Sequence, residues 1–233
     1  MTADNLWVVV PAAGVGSRMG AGIPKQYLTV AGETVLSRTL KRLLSLSDVH
    51  RIVVAISAED RWWPNESIGK HPQIQTVSGG AERADSVLAG LKALAANAGP
   101  DDWVMVHDAA RPCVQPHQIE DMRKSLQSDL VGGLMAIPVA DTLKRSDSEL
   151  RVSETIDRRA LWAAQTPQVF RYQILRDSLE RALAEGIAIT DEASAVEWAG
   201  FKPRLFPGSN RNIKITVPED IELAAMILDA QPG

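Results

Sequence analysis

The stretch Ala12-Ala13-Gly14-Val15-Gly16-Ser17-Arg18-Met19-Gly20, followed by Pro24 and Lys25, gathers small residues and two fixed cations in one short span. Small side chains let backbone N–H groups approach an anion closely, and Arg18 and Lys25 add full charges beside them. That is the equipment of a triphosphate cradle. The plainer readings are a tight strand-to-helix turn at Gly14 and Gly16 and an ordinary solvated lysine at position 25. The string lacks the terminal glycine-lysine-serine/threonine of a P-loop. Nor does it have the spacing of a dinucleotide-binding turn followed by a ribose-binding acid, so a nicotinamide-dependent oxidoreductase is disfavoured.

Other charged residues stand where a ligand needs them. Gly79-Gly80-Ala81-Glu82-Arg83-Ala84-Asp85-Ser86 leads into a helix, so Asp85 and Ser86 either offer partners to a base edge or cap the first turn. His107-Asp108-Ala109-Ala110-Arg111-Pro112 follows an apolar strand, which puts Asp108 and Arg111 at its carboxyl end as ligand contacts or as a structural ion pair. Lys214 lies between Ile213 and Ile215 in a predicted strand, 213–216, and points away from the side those isoleucines occupy. His107, Cys113 and His117 fit no zinc spacing, and Cys113 beside Pro112 reads as an inert thiol. Thr190-Asp191-Glu192 reads as a helix cap, and Trp62-Trp63 as packing rather than a base-stacking platform.

The elements that must hold these groups alternate. Short β-branched runs at 6–10, 52–56, 74–77, 103–106 and 134–139 are separated by helical spacing at Val35, Leu36, Leu40, Leu43 and Leu44, and at Val87, Leu88, Leu91 and Leu94. This predicts an α/β fold with a mostly parallel sheet and helices on both faces, its ligand site beyond the carboxyl ends of the strands. Residues 140–162 alternate polar and apolar around Asp147-Ser148 and predict a projecting β-hairpin arm that would pack on a second chain, the plainer reading being an irregular surface excursion. Helices are expected at about 172–185, at 191–199 and from Pro218 onward.

The 233 residues are 45% apolar and 23% charged, which suits one folded domain over 1–233. With 25 basic and 29 acidic side chains, a formal charge of −4, the chain lacks the basic surplus that nucleic acid demands. A single cysteine fits the cytoplasm. The N-terminus has no basic region of a signal peptide, and no apolar run approaches the roughly 18 residues of a transmembrane helix, so no membrane partner is expected.

The strings AAGVGSRMG, PKQYL, GGAERADSV, HDAARP, DT, QTPQ, TDEAS and NIKIT occur in order between residues 12 and 216, and this series resembles the cytidylyltransferases that act on methylerythritol 4-phosphate. The resemblance implies a Rossmann-like fold and a homodimer formed through the arm. It also implies a magnesium-dependent joining of CTP to the sugar-alcohol phosphate with release of pyrophosphate, in the isoprenoid precursor route that avoids mevalonate. By position, Arg18 and Lys25 would bind the CTP phosphates and stabilise the transition state. Lys214, with Arg158 of the partner subunit, would position the acceptor phosphate. Ala12, Ala13 and the segment bearing Gly80, Asp85 and Ser86 would hold cytosine and ribose. Asp108 and Arg111 would contact the sugar alcohol, and Thr142 of the partner subunit its phosphate. Ala81 stands where some members carry an aspartate that contacts the base, and Arg159 adjoins Arg158 without the sequence saying which faces the site. Magnesium is expected to be held by substrate phosphates and water, with no protein ligand assigned. Ribitol-5-phosphate cytidylyltransferases carry related motifs, but DSV, HDAARP and TDEAS favour the methylerythritol phosphate. A non-catalytic nucleotide-binding module would not require Arg18, Lys25, Asp108, Arg158 and Lys214 together.

Overall fold

The computed structural model describes residues 5–14 and 22–231. Strand β1 (Leu6–Pro11) buries its apolar residues on both sides: Leu6, Val8 and Val10 enter one core cluster, Trp7 and Val9 the other. Period-two alternation thus explains why the run is apolar throughout. The short strands β2 (Thr29–Val30) and β3 (Glu33–Thr34) precede helix α1 (Val35–Leu44), whose first turn is capped by Thr34 accepting from the Ser37 N–H at 3.1 Å. Then come β4 (Val49–Ile56), β5 (Ile74–Ser78), α2 (Arg83–Leu94), β6 (Trp103–Val106) and α3 (Pro116–Leu126). The second half holds β7 (Gly132–Pro138), β8 (Leu143–Ser146), β9 (Val152–Ile156), β10 (Trp162–Arg171), α4 (Tyr172–Ala184), α5 (Glu192–Trp198), β11 (Arg204–Pro207) and α6 (Glu219–Asp229).

Seven strands form the main sheet in the order β11-β7-β10-β6-β1-β4-β5. β10 runs antiparallel to β6 and β7, and the remaining neighbours are parallel. Helices α1 and α3 cover one face through Leu36, Leu40, Leu43, Ile119 and Met122, while α2, α4 and α5 cover the other through Val87, Leu91, Leu175, Leu179 and Val196. The chain winds outward from β1 through β4 to β5 and returns to β6 on the opposite side of β1. The carboxyl ends of β1 and β6 therefore flank the crevice where such sheets bind ligands.

The arm is present: β8 and β9 pair antiparallel from Leu143↔Ile156 to Ser146↔Val152, and residues 141–155 are all exposed. Asp147 closes its turn by accepting from the Glu149 and Arg151 N–H groups, each at 2.9 Å.

One sequence expectation needs correction, and two strands of the main sheet, β10 and β11, are absent from the sequence reading. Residues 213–216 do not form a strand. The Ile215 N–H reaches the Ala110 carbonyl at 2.8 Å, but the next N–H groups go to a side chain instead of a strand: Asp220 Oδ2 accepts from Thr216 N (2.7 Å), Val217 N (3.0 Å) and Thr216 Oγ1 (2.8 Å). The predicted alternation survives without the sheet, since Ile215 is buried in the third core cluster and Lys214 turns toward the crevice. A further miss is β10. Its centre, Gln165-Thr166-Pro167-Gln168, is polar yet buried, and its register with β7 shifts between Ala164 and Gln168, so no strand periodicity survives there.

Candidate active site

A cleft of about 160 Å³ opens where β1 and β6 end. One wall is the turn Ala12-Ala13-Gly14, pinned by Gln26, whose Nε2 donates to the carbonyls of Ala12 (2.7 Å) and Gly14 (3.2 Å). The opposite wall is Gly80, Ala81 and the start of α2. There the Ser86 hydroxyl accepts from the Gly80 N–H at 3.1 Å and donates to the Glu82 carbonyl at 3.2 Å. Gly79 allows the walls to meet, because a Cβ at that position would lie 2.6 Å from the Ala13 Cβ and 2.7 Å from the Ser86 Oγ.

Lys25 and Lys214 both line this cleft. The Lys25 Nζ donates to the Ile215 carbonyl at 2.9 Å, and the Lys214 Nζ lies 2.8 Å from Asp108 Oδ2. Lys25 is thus seated on the residue next to Lys214, although the two lysines are far apart in the chain.

Arg83, Asp108 and Lys214 also line a second cavity, of about 290 Å³, whose far side is Arg111, Gln165, Thr166 and Thr190. These three residues form the partition between the two spaces. Asp108 Oδ1 accepts from Arg83 Nε at 3.0 Å, and its Oδ2 is 3.6 Å from Arg111 Nε. Burial alone would push the Asp108 carboxyl up, but Arg83, Lys214 and Arg111 more than offset it and hold it well below the usual carboxylate range. Burial likewise opposes the charge on Arg83, and the carboxylates of Glu192 and Asp108 outweigh it, leaving that guanidinium above its ordinary value. For Arg111 burial wins and the value falls, with Asp108 compensating in part. Its terminal nitrogen donates to the Asn212 carbonyl at 2.6 Å.

His107 is fully buried, and burial pulls it down to about 4, so it is neutral near pH 7. A carbonyl can only accept, so the contact at 3.1 Å from His107 Nε2 to the Arg111 carbonyl puts the ring proton on Nε2. Nδ1 then accepts the Thr166 hydroxyl at 3.2 Å, and the Thr166 oxygen accepts the Asp108 N–H at 3.0 Å. The histidine therefore fixes the backbone of Asp108 and is not a base facing the cavities. The Cys113 thiol is buried and pushed up to about 11, consistent with an inert residue.

A model of the family described as 2-C-methyl-D-erythritol 4-phosphate cytidylyltransferase matches residues 6–230. The chain belongs to this family. A cytidylyltransferase of that description from Vibrio vulnificus is 49% identical over 227 residues, spanning 97% of this chain and 96% of its own. Another, from Pseudomonas paraeruginosa, is 51% identical over 225 residues, spanning 95% and 96%. The crystal structure of Francisella tularensis 2-C-methyl-D-erythritol 4-phosphate cytidylyltransferase superposes with a TM-score of 0.84 at 35% identity, covering 96% of this chain and 99% of that one.

Of the residues expected to serve a cytidylyltransferase, Ala12, Ala13, Gly14, Lys25, Gly80, Ser86, Asp108 and Lys214 line the first cleft, and Arg111 joins the second cavity. Gly16 and Arg18 lie outside the described residues. Asp85 is placed as a helix cap: its Oδ2 accepts the Glu82 N–H at 3.0 Å, and it is not part of the cleft lining. Thr142 and Arg158 are exposed on and beside the arm, and neither reaches either cavity of its own chain. The sequence reading did not assign Arg83, Gln165, Thr166 or Glu192. Gln165 and Thr166 belong to a strand it missed. Arg83 carried a signal, being a cation in the first turn of a helix, where the dipole disfavours it unless an acid is near.

Proposed function

We infer that the protein transfers the cytidylyl group of CTP to 2-C-methyl-D-erythritol 4-phosphate, giving 4-diphosphocytidyl-2-C-methyl-D-erythritol and pyrophosphate in non-mevalonate isoprenoid precursor synthesis. Beyond family membership, the observation that carries this reading is the meeting of Lys25 and Lys214 at one cleft, with a second cavity across Asp108. The nucleotide is assigned to the glycine-walled cleft and the sugar-alcohol phosphate to the cavity beside Arg111. An oxygen of the acceptor phosphate forms a bond to the α-phosphorus of CTP as the bond to the bridging oxygen breaks, and the electron pair leaves on pyrophosphate.

The attacking oxygen is already ionised, so the step needs no general base. Its obstacle is repulsion: two unit charges 4 Å apart cost about 4 kcal/mol at an effective dielectric of about 20. Lys25 and Lys214 supply positive charge where the two anions must approach, and Arg18 is assigned to the triphosphate with them. Asp108, ionised and gripped by cations, orients Lys214 instead of taking a proton.

Magnesium is part of the proposal. Asp108, the carboxylate common to both cavities, has its oxygens committed to Arg83 and Lys214, and among the described residues no cluster of three acid, histidine or cysteine ligands exists. The ion would arrive with the triphosphate, ligated by phosphate oxygens and water, and would supply charge neutralisation on the leaving group.

The arm is assigned to a homodimer. It exposes Leu150 at 87% and Val152 at 64%, apolar surface that a second chain would cover. Arg159 is held by Asp157, with Nε 2.9 Å from Oδ2, whereas the Arg158 guanidinium makes no hydrogen bond or ion pair among the described residues. Arg158 is therefore the arginine assigned, with Thr142, to the neighbouring subunit's acceptor phosphate. A cytoplasmic location goes with the unpaired Cys113. Among the described residues no helix is long and apolar enough to cross a membrane.

The deciding experiment follows pyrophosphate release from CTP and magnesium with 2-C-methyl-D-erythritol 4-phosphate or ribitol 5-phosphate as acceptor. Turnover with the former at least tenfold above the latter is expected, and the reverse preference would overturn the substrate assignment. In the same assay Lys25→Ala and Lys214→Ala should each lower kcat by about a hundredfold to a thousandfold with the circular dichroism unchanged.

A further inference from the structure

Glu192 lies outside the lining of both cavities, yet the residue is 1% exposed and its carboxylate faces Arg83, which lines both. Its two oxygens take both terminal nitrogens of Arg83, at 2.6 and 3.1 Å, while the Nε edge of the same guanidinium takes Asp108 Oδ1. Asp108 Oδ2 in turn takes Lys214. The result is a row of alternating charge, Glu192, Arg83, Asp108, Lys214, that ends in the partition between the cavities. The acid at its root is itself anchored. Gln168 on β10 accepts from the Ala193 N–H at 2.8 Å and donates to Asp191 Oδ2 at 2.9 Å, which fixes the start of α5 on either side of Glu192.

A buried ion pair is weak evidence of a stabilising device, since well-packed apolar residues serve stability as well or better. This pair does something an apolar pair would not. It satisfies one edge of Arg83 completely, so that only the Nε edge remains for Asp108, and Asp108 keeps its second oxygen for Lys214.

We propose that Glu192 is a positioning residue for cytidylyl transfer, acting through Arg83 and Asp108 to hold the Lys214 amino group in the partition between nucleotide and acceptor. Without the Glu192 charge, Asp108 is the remaining carboxylate partner of Arg83. The freed terminal nitrogens turn to Asp108 Oδ2 and displace Lys214. The proposal rests on the cytidylyltransferase reading above.

The test compares wild type, Glu192→Gln, Arg83→Gln and the double variant in the pyrophosphate assay, varying each substrate in turn. Wild-type turnover establishes the activity first, so its failure would strike the functional reading and not this one. Glu192→Gln should lower kcat/KM for the acceptor on the order of a hundredfold, as for a reacting group displaced by about 1 Å. In the Arg83→Gln background the same substitution should change it less than about twofold, because residues acting through one another are not additive. A general loss of structure would multiply through both backgrounds instead. Near-native kcat/KM for Glu192→Gln, or an undiminished loss in the Arg83→Gln background, would overturn the proposal. Should Glu192→Gln fail to fold alone, the double variant, which buries no unpaired charge, is compared with Arg83→Gln. With the competing guanidinium gone, Asp108 keeps Lys214 in both variants, so kcat/KM equal within about twofold in that pair supports the row, and a further loss of about tenfold or more on removing Glu192 overturns it.

Discussion

Burial of His107 ties the chemistry at the centre of the molecule to its stability. An unfolded histidine titrates near 6.5 and this one at about 4, so acidification protonates the unfolded chain first. The contribution is full above pH 6.5 and is lost progressively as pH falls toward 4, a total of about 3 kcal/mol for a shift of this size. Asp108, also depressed, loses its share only below its unfolded value near 3.8, so it does not mask this window. The melting temperature of the wild type should therefore fall more steeply between pH 7 and 4.5 than that of His107→Gln, and parallel curves would refute the assignment. At this scale the sequence revealed the charged residues whose neighbours are small or apolar, such as Lys25, Asp108 and Lys214. It could not separate the two roles of Asp85 and Ser86, because a cap and a ligand contact use the same atoms at the same helical positions. Glu192 was invisible for a different reason. An acid in the first turn of a helix agrees with the dipole, so nothing about it looks out of place.

Helix α2 carries Arg83 and Ser86 into the site, and its seat on the sheet depends on Gly90. A Cβ there would lie 2.5 Å from Val9 Cγ1, on a buried strand residue that has little room to yield. Replacing a helical glycine by alanine is worth roughly 1 kcal/mol in propensity, whereas overpacking a core costs about 1 to 3 kcal/mol. Gly90→Ala should accordingly lower the denaturation midpoint despite the better helix former, which urea unfolding can check. The elements the sequence disclosed are those with one consistent period: β1, α1, β6 and α4 begin where the pattern says. β10 was concealed because Gln165, Thr166 and Gln168 are buried for hydrogen bonding, to Ser209, His107, Asp191 and Ala193, and not for apolar contact. Residues 213–216 erred the other way. Their alternation is real, but Asp220 takes the N–H groups a neighbouring strand would need.

Across the whole molecule, the assigned site draws on segments far apart in the chain and, by the homodimer proposal, on a second chain. Mixing Lys25→Ala subunits with Arg158→Ala subunits should restore activity, ideally to about a quarter of wild type, because half the dimers are mixed and each mixed dimer assembles one intact site. Mixed dimers shown by mass spectrometry to form but to remain inactive would rule out sharing across the arm. Architecture of the single chain was legible from composition and alternation, but the arm's partner was not, since an exposed hairpin has the same pattern whatever covers it. The bond from Lys25 to the Ile215 carbonyl joins residues 190 positions apart. On the ribosome, then, the glycine turn is made long before its chemical counterpart is translated. A nascent polypeptide can assemble its strands while still inert, and reactivity waits for the segment that carries Lys214.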